Sequence, residues 1–411
     1  MKINTLLATM VLSLLAMIGC FRGGECPFTD LSGIRLVPSE LEVVHRDSLV
    51  KSVRFIPLET SSECLIERYD EIQIDDSNIF ILSKSGPRHA IFIFDMEGNY
   101  VSKLDAQGRG PGEFLYISSF TIDPLSEHVI IFDHRNAIFY DYKGNFVRRH
   151  SFNDVLFPGE STVLFNNMYY SYAEGFEVMP EYTEPAEGYN TVAVFDGDLN
   201  LLSHTFPRKG EVINTPFIRP GRNMLTRGED NLYLFDHLAN VLYAAEESVF
   251  VPRYHLDFGE HSVSVDKLFD LLSKSDGDYM SYLRENNLCY PGRTRIHAIG
   301  DYFIIYTVIG NHSHSFIYDT IKGESYSINL RVPYCTFNPN FRTTYSNGTY
   351  LFDAIDAFQI TTKLKECEER LAEGNTYGPF CLTCFAGIDQ IAPDDNAIIV
   401  IFELKDDFFI K

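Results

Sequence analysis

Tryptophan is absent from this 411-residue chain, and positive charge is scarce: Lys and Arg total 34 against 57 Asp and Glu, a formal net charge of −23. Such an acidic surface repels a phosphate backbone, so a nucleic-acid partner is excluded. The missing tryptophan removes the strongest aromatic platform for a sugar ring, leaving tyrosines such as Tyr69, Tyr116 and Tyr172 for that task. Eight cysteines in a chain of this length do not make a disulfide scaffold. After residue 19 no stretch is long and apolar enough to span a bilayer. A nucleophile elbow, an HExxH helix, a kinase signature and an ordered Ser–His–Asp set are all missing. The expectation is therefore no catalytic residue, no metal and no cofactor. What is present is a foldable composition, 45% hydrophobic and 22% charged, with 33 Phe and 24 Tyr that favour strands.

Lys2 is followed by an apolar run from Leu6 to Ile18, too short to cross a membrane and typical of a secretory signal. The run ends at Met17-Ile18-Gly19-Cys20, which resembles the lipobox of bacterial lipoproteins, with Met where Leu is usual. That resemblance implies cleavage before Cys20 and lipidation of its thiol, so that the membrane is reached through a lipid anchor. Lys2 is the only charged residue of 1–19, and losing it takes the formal charge from −23 to −24. The expected organisation is a signal peptide over 1–19, a tether over 20–49 and one globular unit over 50–411. Phe21-Arg-Gly-Gly-Glu contains no acidic run of the surface-export type, which points to the periplasmic face of the outer membrane. Seven cysteines remain after Cys20, an odd number, and Cys381-Leu-Thr-Cys384 has redox or zinc spacing without the second ligand pair that zinc needs.

The body of the chain repeats. Ile91-Phe-Ile-Phe-Asp95-Met-Glu-Gly98-Asn99 recurs 46 residues later as Ala137-Ile-Phe-Tyr-Asp141-Tyr-Lys-Gly144-Asn145, with further copies at Thr191–Asp196 and Ser315–Gly323 and a weaker one at Val241. Each reads as strand, turn and strand, the Gly-Asn pair supplying the positive φ of a tight hairpin. A second hairpin precedes each copy, so the unit is four antiparallel strands, the pattern of a propeller blade. Five blades are expected at 66–105, 114–152, 160–206, 217–258 and 293–331. The sixth is split: 341–352 and 397–404 give three strands, and Val53-Arg-Phe-Ile-Pro-Leu58 gives the fourth and closes the ring. Amphipathic stretches at 266–286 and 354–373 predict two helical insertions packed on the propeller.

Gly108-Arg-Gly-Pro-Gly-Glu-Phe114, between two blades, looks like an NHL-type repeat linker. Together with the lipobox, Val53–Glu59 and Asp394-Asp-Asn-Ala-Ile-Ile-Val-Ile-Phe402, it makes the chain similar to the six-bladed β-propeller lipoproteins of Bacteroides-type bacteria. The resemblance implies fold and address and brings no activity with it. The glycines of 108–112 do not read as a phosphate cradle, because no helix follows them.

Three polar sets are candidates. Arginines cluster where blades 4 and 5 open onto the channel: Arg222, Arg293 and Arg295, each with a guanidinium fork that fits carboxylate or phosphate. Equivalent turns between second and third strands carry Arg88, His134, Arg135 and His237, and blade repetition places such turns on one face. Turn capping and pairing with nearby acids account for the same residues without a ligand. His312 and His314 share a strand face but lack neighbouring carboxylates, so they read as a polar hairpin. The function expected is a non-catalytic binding or scaffolding propeller for an envelope protein, a glycan or a small anionic ligand. The rival is a lyase or hydrolase with a metal in the channel, whose mark would be three or more Asp, Glu, Asn or His converging there.

Overall fold

The structure is a computed structural model that describes residues 31–86, 88–133, 135–152, 161–172, 189–208, 224–272, 276–329, 345–372 and 390–405. The chain opens with β1 (Ser32–Arg35) and β2 (Val43–His45), a helical turn (Arg46–Leu49) and β3 (Val50–Pro57). Four-stranded antiparallel blades follow. Blade 1 is β4 (Glu71–Ile74), β5 (Asn78–Ser85), β6 (Arg88–Asp95) and β7 (Tyr100–Leu104), and blade 2 is β8 (Ser119–Asp123), β9 (His128–Asp133), β10 (Asn136–Asp141) and β11 (Phe146–Ser151). Blade 3 is β12 (Ser161–Phe165), β13 (Met168–Tyr172), β14 (Tyr189–Phe195) and β15 (Leu201–Arg208). Blade 4 is β16 (Leu225–Arg227), β17 (Leu232–Asp236), β18 (Val241–Glu246) and β19 (Val249–Asp257). Blade 5 is β20 (Arg295–Ile299), β21 (Tyr302–Ile309), β22 (His312–Asp319) and β23 (Glu324–Asn329). Blade 6 joins β24 (Tyr345–Ser346), β25 (Leu351–Ile355) and β26 (Ile398–Leu404) to β3 from the other end of the chain. The fold is a six-bladed β-propeller, closed as the sequence predicts: β26 pairs antiparallel with β3 from Ile398 opposite Pro57 to Leu404 opposite Val50.

The apolar residues of each blade alternate between its two faces, and each face packs on the next blade. Consequently the core is a series of inter-blade clusters. Phe80, Ile91 and Phe114 meet Phe120 and Ile131 between blades 1 and 2, and Ile56 and Ile399 meet Ile79 and Phe94 across the seam between blades 6 and 1. The repeated hairpins owe their shape to one device. Asp95 Oδ1 accepts from the amides of Glu97 and Asn99 (3.0 and 2.8 Å) while Asn99 Nδ2 donates to Asp95 Oδ2 (2.8 Å). Asp141 with Asn145 and Asp196 with Asn200 repeat it. Gly98 holds φ +88°, and a Cβ there would lie 2.0 Å from the Pro57 carbonyl oxygen. The third copy has no glycine at that place, and Leu199 itself adopts φ +67°.

The tether expected over 20–49 is shorter than read. Residues 31–49 are part of the ring: β1 adds a parallel fifth strand to β19, Ile34 facing Leu256, and β2 adds one to β23, Val44 facing Ile328. The reason is apolar content, since Ile34, Leu36, Val37, Val44 and Leu49 are all buried. Both helical insertions are present. α1 (Val265–Leu272) and α2 (Asp276–Glu285) bury Leu268, Leu271, Tyr279 and Leu283 against Leu238 and Tyr290. α3 (Ala357–Ala372) leaves blade 6 and buries Ala357 and Ile360 beside blades 5 and 6. Phe358, an apolar residue of the stretch 354–373 expected to pack on the propeller, is instead 62% exposed.

Candidate functional site

The strand order makes the two ends of the ring unlike. In every blade the first strand starts, and the fourth ends, at one face, so the inter-blade connections and the second-to-third-strand turns gather there. All the long connections begin and end at that face: 58–70, 105–118, 173–188, 209–224, 258–294, 330–344 and 356–397. The opposite face carries only short turns such as 96–99, 142–145 and 300–301. The described members of two candidate sets, Arg293 and Arg295 of the blade openings and Arg88, Arg135 and His237 of the turns, therefore share the elaborated face.

Arg222, His134 and Cys20 lie outside the described residues, as do Cys381 and Cys384. Arg88 and Arg135 are exposed in the turns of blades 1 and 2. His237 occupies the equivalent turn of blade 4 but is 4% exposed, beside the Leu238 that packs under the helical insertion. Arg293 is exposed, its guanidinium carbon 5.8 Å from the centroid of the Tyr290 ring. Arg295 is half-buried and folds back on its own loop, Nη1 donating to the carbonyls of Thr294 (2.9 Å) and Gly292 (3.4 Å). Neighbouring turn residues hold the scaffold. Asp133 Oδ2 accepts from the Leu115 amide (2.9 Å) and His89 Nδ1 from the Ile117 amide (3.0 Å), so both pin the 105–118 loop. Within that loop Glu113 Oε2 accepts from Gly110 N (2.7 Å), and a Cβ at Gly108 would sit 2.0 Å from the same carboxylate. The glycines thus serve a tight inter-blade turn. His312 is exposed and His314 half-buried, stacked 6.1 Å from Phe316, and burial holds His314 below the usual imidazole pKa.

The channel is the second place where polar groups converge. Residues of all six inner strands line a cavity of about 120 Å³, among them Glu71, Gln73, Thr121, Thr162, Arg227, His297, Ser346 and Asn347. Side chains bridge most of the neighbouring strands. Gln73 Nε2 donates to Phe120 O (2.9 Å), Thr121 Oγ1 accepts from Leu164 N (3.2 Å), and Thr226 Oγ1 donates to Ile296 O (2.7 Å). His297 Nδ1 meets Ser346 Oγ at 3.4 Å, and Asn347 Nδ2 donates to Ile74 O at 3.4 Å. Arg227 lines the same cavity and is half-buried. Sequence reasoning missed it because β16 has three residues and no alternation to read. Among the described residues no three His, Cys, Asp or Glu gather as a metal set, and Glu71, His297 and Asn347 of the lining come from three different blades.

No curated protein matches the chain in sequence. Among solved structures, the fold is similar to a protein described as exported from Bacteroides fragilis, at 13% identity and TM-score 0.66, over 91% of this chain and 99% of that one. It is also similar to a member of the DUF4221 family from Bacteroides vulgatus, at 10% identity and TM-score 0.51, over 87% and 97%. At these identities the likeness speaks for the fold. A family described as a domain of unknown function matches residues 38–403, from just before β2 into the closing strand β26, and the chain accordingly belongs to the DUF4934 family.

Proposed function

We propose that this chain is a non-catalytic binding or scaffolding propeller of the bacterial cell envelope, holding a protein or a small anionic or glycan ligand. In this reading it is anchored by lipid on Cys20 and faces the periplasm from the outer membrane. The observation that carries the reading is the asymmetry of the ring: one face carries short hydrogen-bonded turns, and the strand ends that bound every long connection lie at the other. A rigid scaffold that concentrates its long loops on one face is the usual geometry of a recognition surface. The exposed guanidinium groups of Arg88, Arg135 and Arg293 lie on that face, in a chain whose overall charge repels anions. The solved relative described as exported, and the Met17–Cys20 lipobox, support the envelope address. A channel metal enzyme has less support: among the described residues no three His, Cys, Asp or Glu are placed to share a metal ion, and of Glu71, Asn347 and His297 in the lining, Asn347 turns its amide to Ile74 O.

The test is capture from envelope extract with the lipidated protein, beside variants Arg88→Ala, Arg135→Ala, Arg222→Ala and Arg293→Ala. The expected result is a reproducible partner whose recovery falls in at least one variant with an unchanged melting temperature. Equal recovery by all four removes the arginine face from the reading. Cys20→Ala should shift the protein from the membrane to the soluble fraction, and unchanged fractionation with unchanged lipid labelling contradicts the anchor.

A further inference from the structure

Arg227 stands apart from the other arginines. It ends the inner strand of blade 4, lines the channel cavity and is half-buried. Among the described residues it makes neither a hydrogen bond nor an ion pair, whereas Arg35, Arg68, Arg253 and Arg295 are each tied to a carboxylate or a carbonyl. Burial alone moves its pKa, downward, with no carboxylate acting against it. A guanidinium carries five N–H donors, and withdrawing it from water without acceptors costs free energy. Neighbouring strands fix its level in the channel. Thr226 donates to Ile296 O between the inner strands of blades 4 and 5, and Arg227 and His297, the next residues along those strands, both line the cavity. His297 is 3% exposed and reaches Ser346 on the following blade.

We propose that the channel of this propeller is a binding site for a small carboxylate, gripped by Arg227 and flanked by His297 and the hydroxyl and amide groups of the inner strands. The proposal rests on the binding reading above and gives it a site and a ligand chemistry. The planar fork of arginine matches a carboxylate bidentately. A carboxylate fits better than a phosphate dianion, because the lining also includes the Glu71 carboxylate and the chain as a whole is strongly negative. Size agrees: about 120 Å³ is the share of roughly four waters, enough for a hydroxy acid or for the acidic end of a longer glycan. Thr121, Thr162 and Ser346 supply partners for the hydroxyl groups that such a ligand carries.

The test uses the full mature chain and isothermal titration calorimetry with four probes: lactate, galacturonate, a galacturonate oligomer and inorganic phosphate. The expected result is saturable binding of at least one carboxylate probe, weaker by at least tenfold in Arg227→Gln and partly kept in Arg227→Lys. Lactate binding identifies a free acid; binding of the sugar acids alone identifies the acidic end of a glycan. In anion-free buffer Arg227→Gln should melt no lower than the parent, because an unpaired buried charge is removed. Any of four results overturns the proposal: no carboxylate probe binds, Arg227→Gln leaves binding unchanged, phosphate binds as tightly as the carboxylates, or the melting temperature falls in Arg227→Gln, the mark of a structural arginine. Capture of an envelope partner, measured on the same samples, reports on the binding reading separately: recovery without any probe binding sinks the channel site and leaves that reading standing.

Discussion

Asn396 is 3% exposed, and its side chain stitches the seam of the ring. Its Oδ1 accepts from Ile66 N (2.9 Å), and its Nδ2 donates to the carbonyls of Glu59 (2.7 Å) and Cys64 (2.9 Å). Its own amide donates to Thr60 Oγ1, and Tyr69 OH accepts from the next amide, Ala397. Asn396→Ala should cost about 3 kcal/mol, because it takes the side-chain partner from the amide of buried Ile66 and from the carbonyls of Glu59 and buried Cys64. Asn396→Asp should cost more than Asn396→Ala, since it sets a carboxylate against two carbonyl oxygens. Chemical denaturation of the three proteins checks both the size and the order. The sequence displayed Asp394–Phe402 as a motif, but not this role: a lone asparagine in a turn carries no sign of the segment more than 300 residues away that it will meet. Arg227 was hidden for the same reason, since its burial exists only once six inner strands surround it. Arg88, Arg135 and Arg293 were easier to place, because repetition assigns each to a turn or a blade opening, and features of one kind share a face.

Elements followed the sequence wherever the signal was local. Asp–x–x–Gly–Asn between alternating apolar residues fixes a hairpin within about ten residues, and four-stranded units follow from repetition. β1 and β2 escaped because each buries a single residue of its strand, Ile34 and Val44, too little for alternation to register, and they pair in parallel with strands far along the chain. The hairpin turns also set the acid limit of the fold. Burial pulls the Asp95, Asp141 and Asp319 carboxyls up, but the amide and side-chain hydrogen bonds outweigh it and hold them below the ordinary value of 3.8. For Asp196 the Asn200 side chain is the leading cause of the same downward shift. A depressed folded-state pKa contributes stability that is complete above the ordinary value and is lost as pH falls through the lower one. His255 and His314, held low by burial, add a loss that begins as pH falls below 6.5. The melting temperature should therefore decline gently below about pH 6.5 and steeply below about pH 4. Asp141→Asn should flatten the steep part while lowering stability at neutral pH, and a profile flat from about pH 7 to about pH 3 contradicts this linkage. Gly98→Ala should cost about 1–3 kcal/mol through strain at φ +88° and contact with Pro57, read from the shift in denaturation midpoint.

At the scale of the molecule, the N-terminal segment runs along the outer edges of blades 4, 5 and 6 in turn, through β1, β2 and β3, before blade 1 begins. It covers strand edges that would otherwise pair with other chains, and it joins the two ends of the ring. The channel, the shared face and the place of Arg227 in the channel lining exist only because that ring is closed. Removing residues 20–57 takes away β3, strips Ile399 of Ile56, its register partner in blade 6, and takes Ile56 out of the cluster between blades 6 and 1. The most direct measurement is therefore the melting temperature and monodispersity of the chain lacking residues 20–57, beside the chain that begins at Cys20. Closure through β3 predicts a large fall in melting temperature with aggregation through the bared edge of β26. An unchanged melting temperature in a monodisperse protein would contradict it.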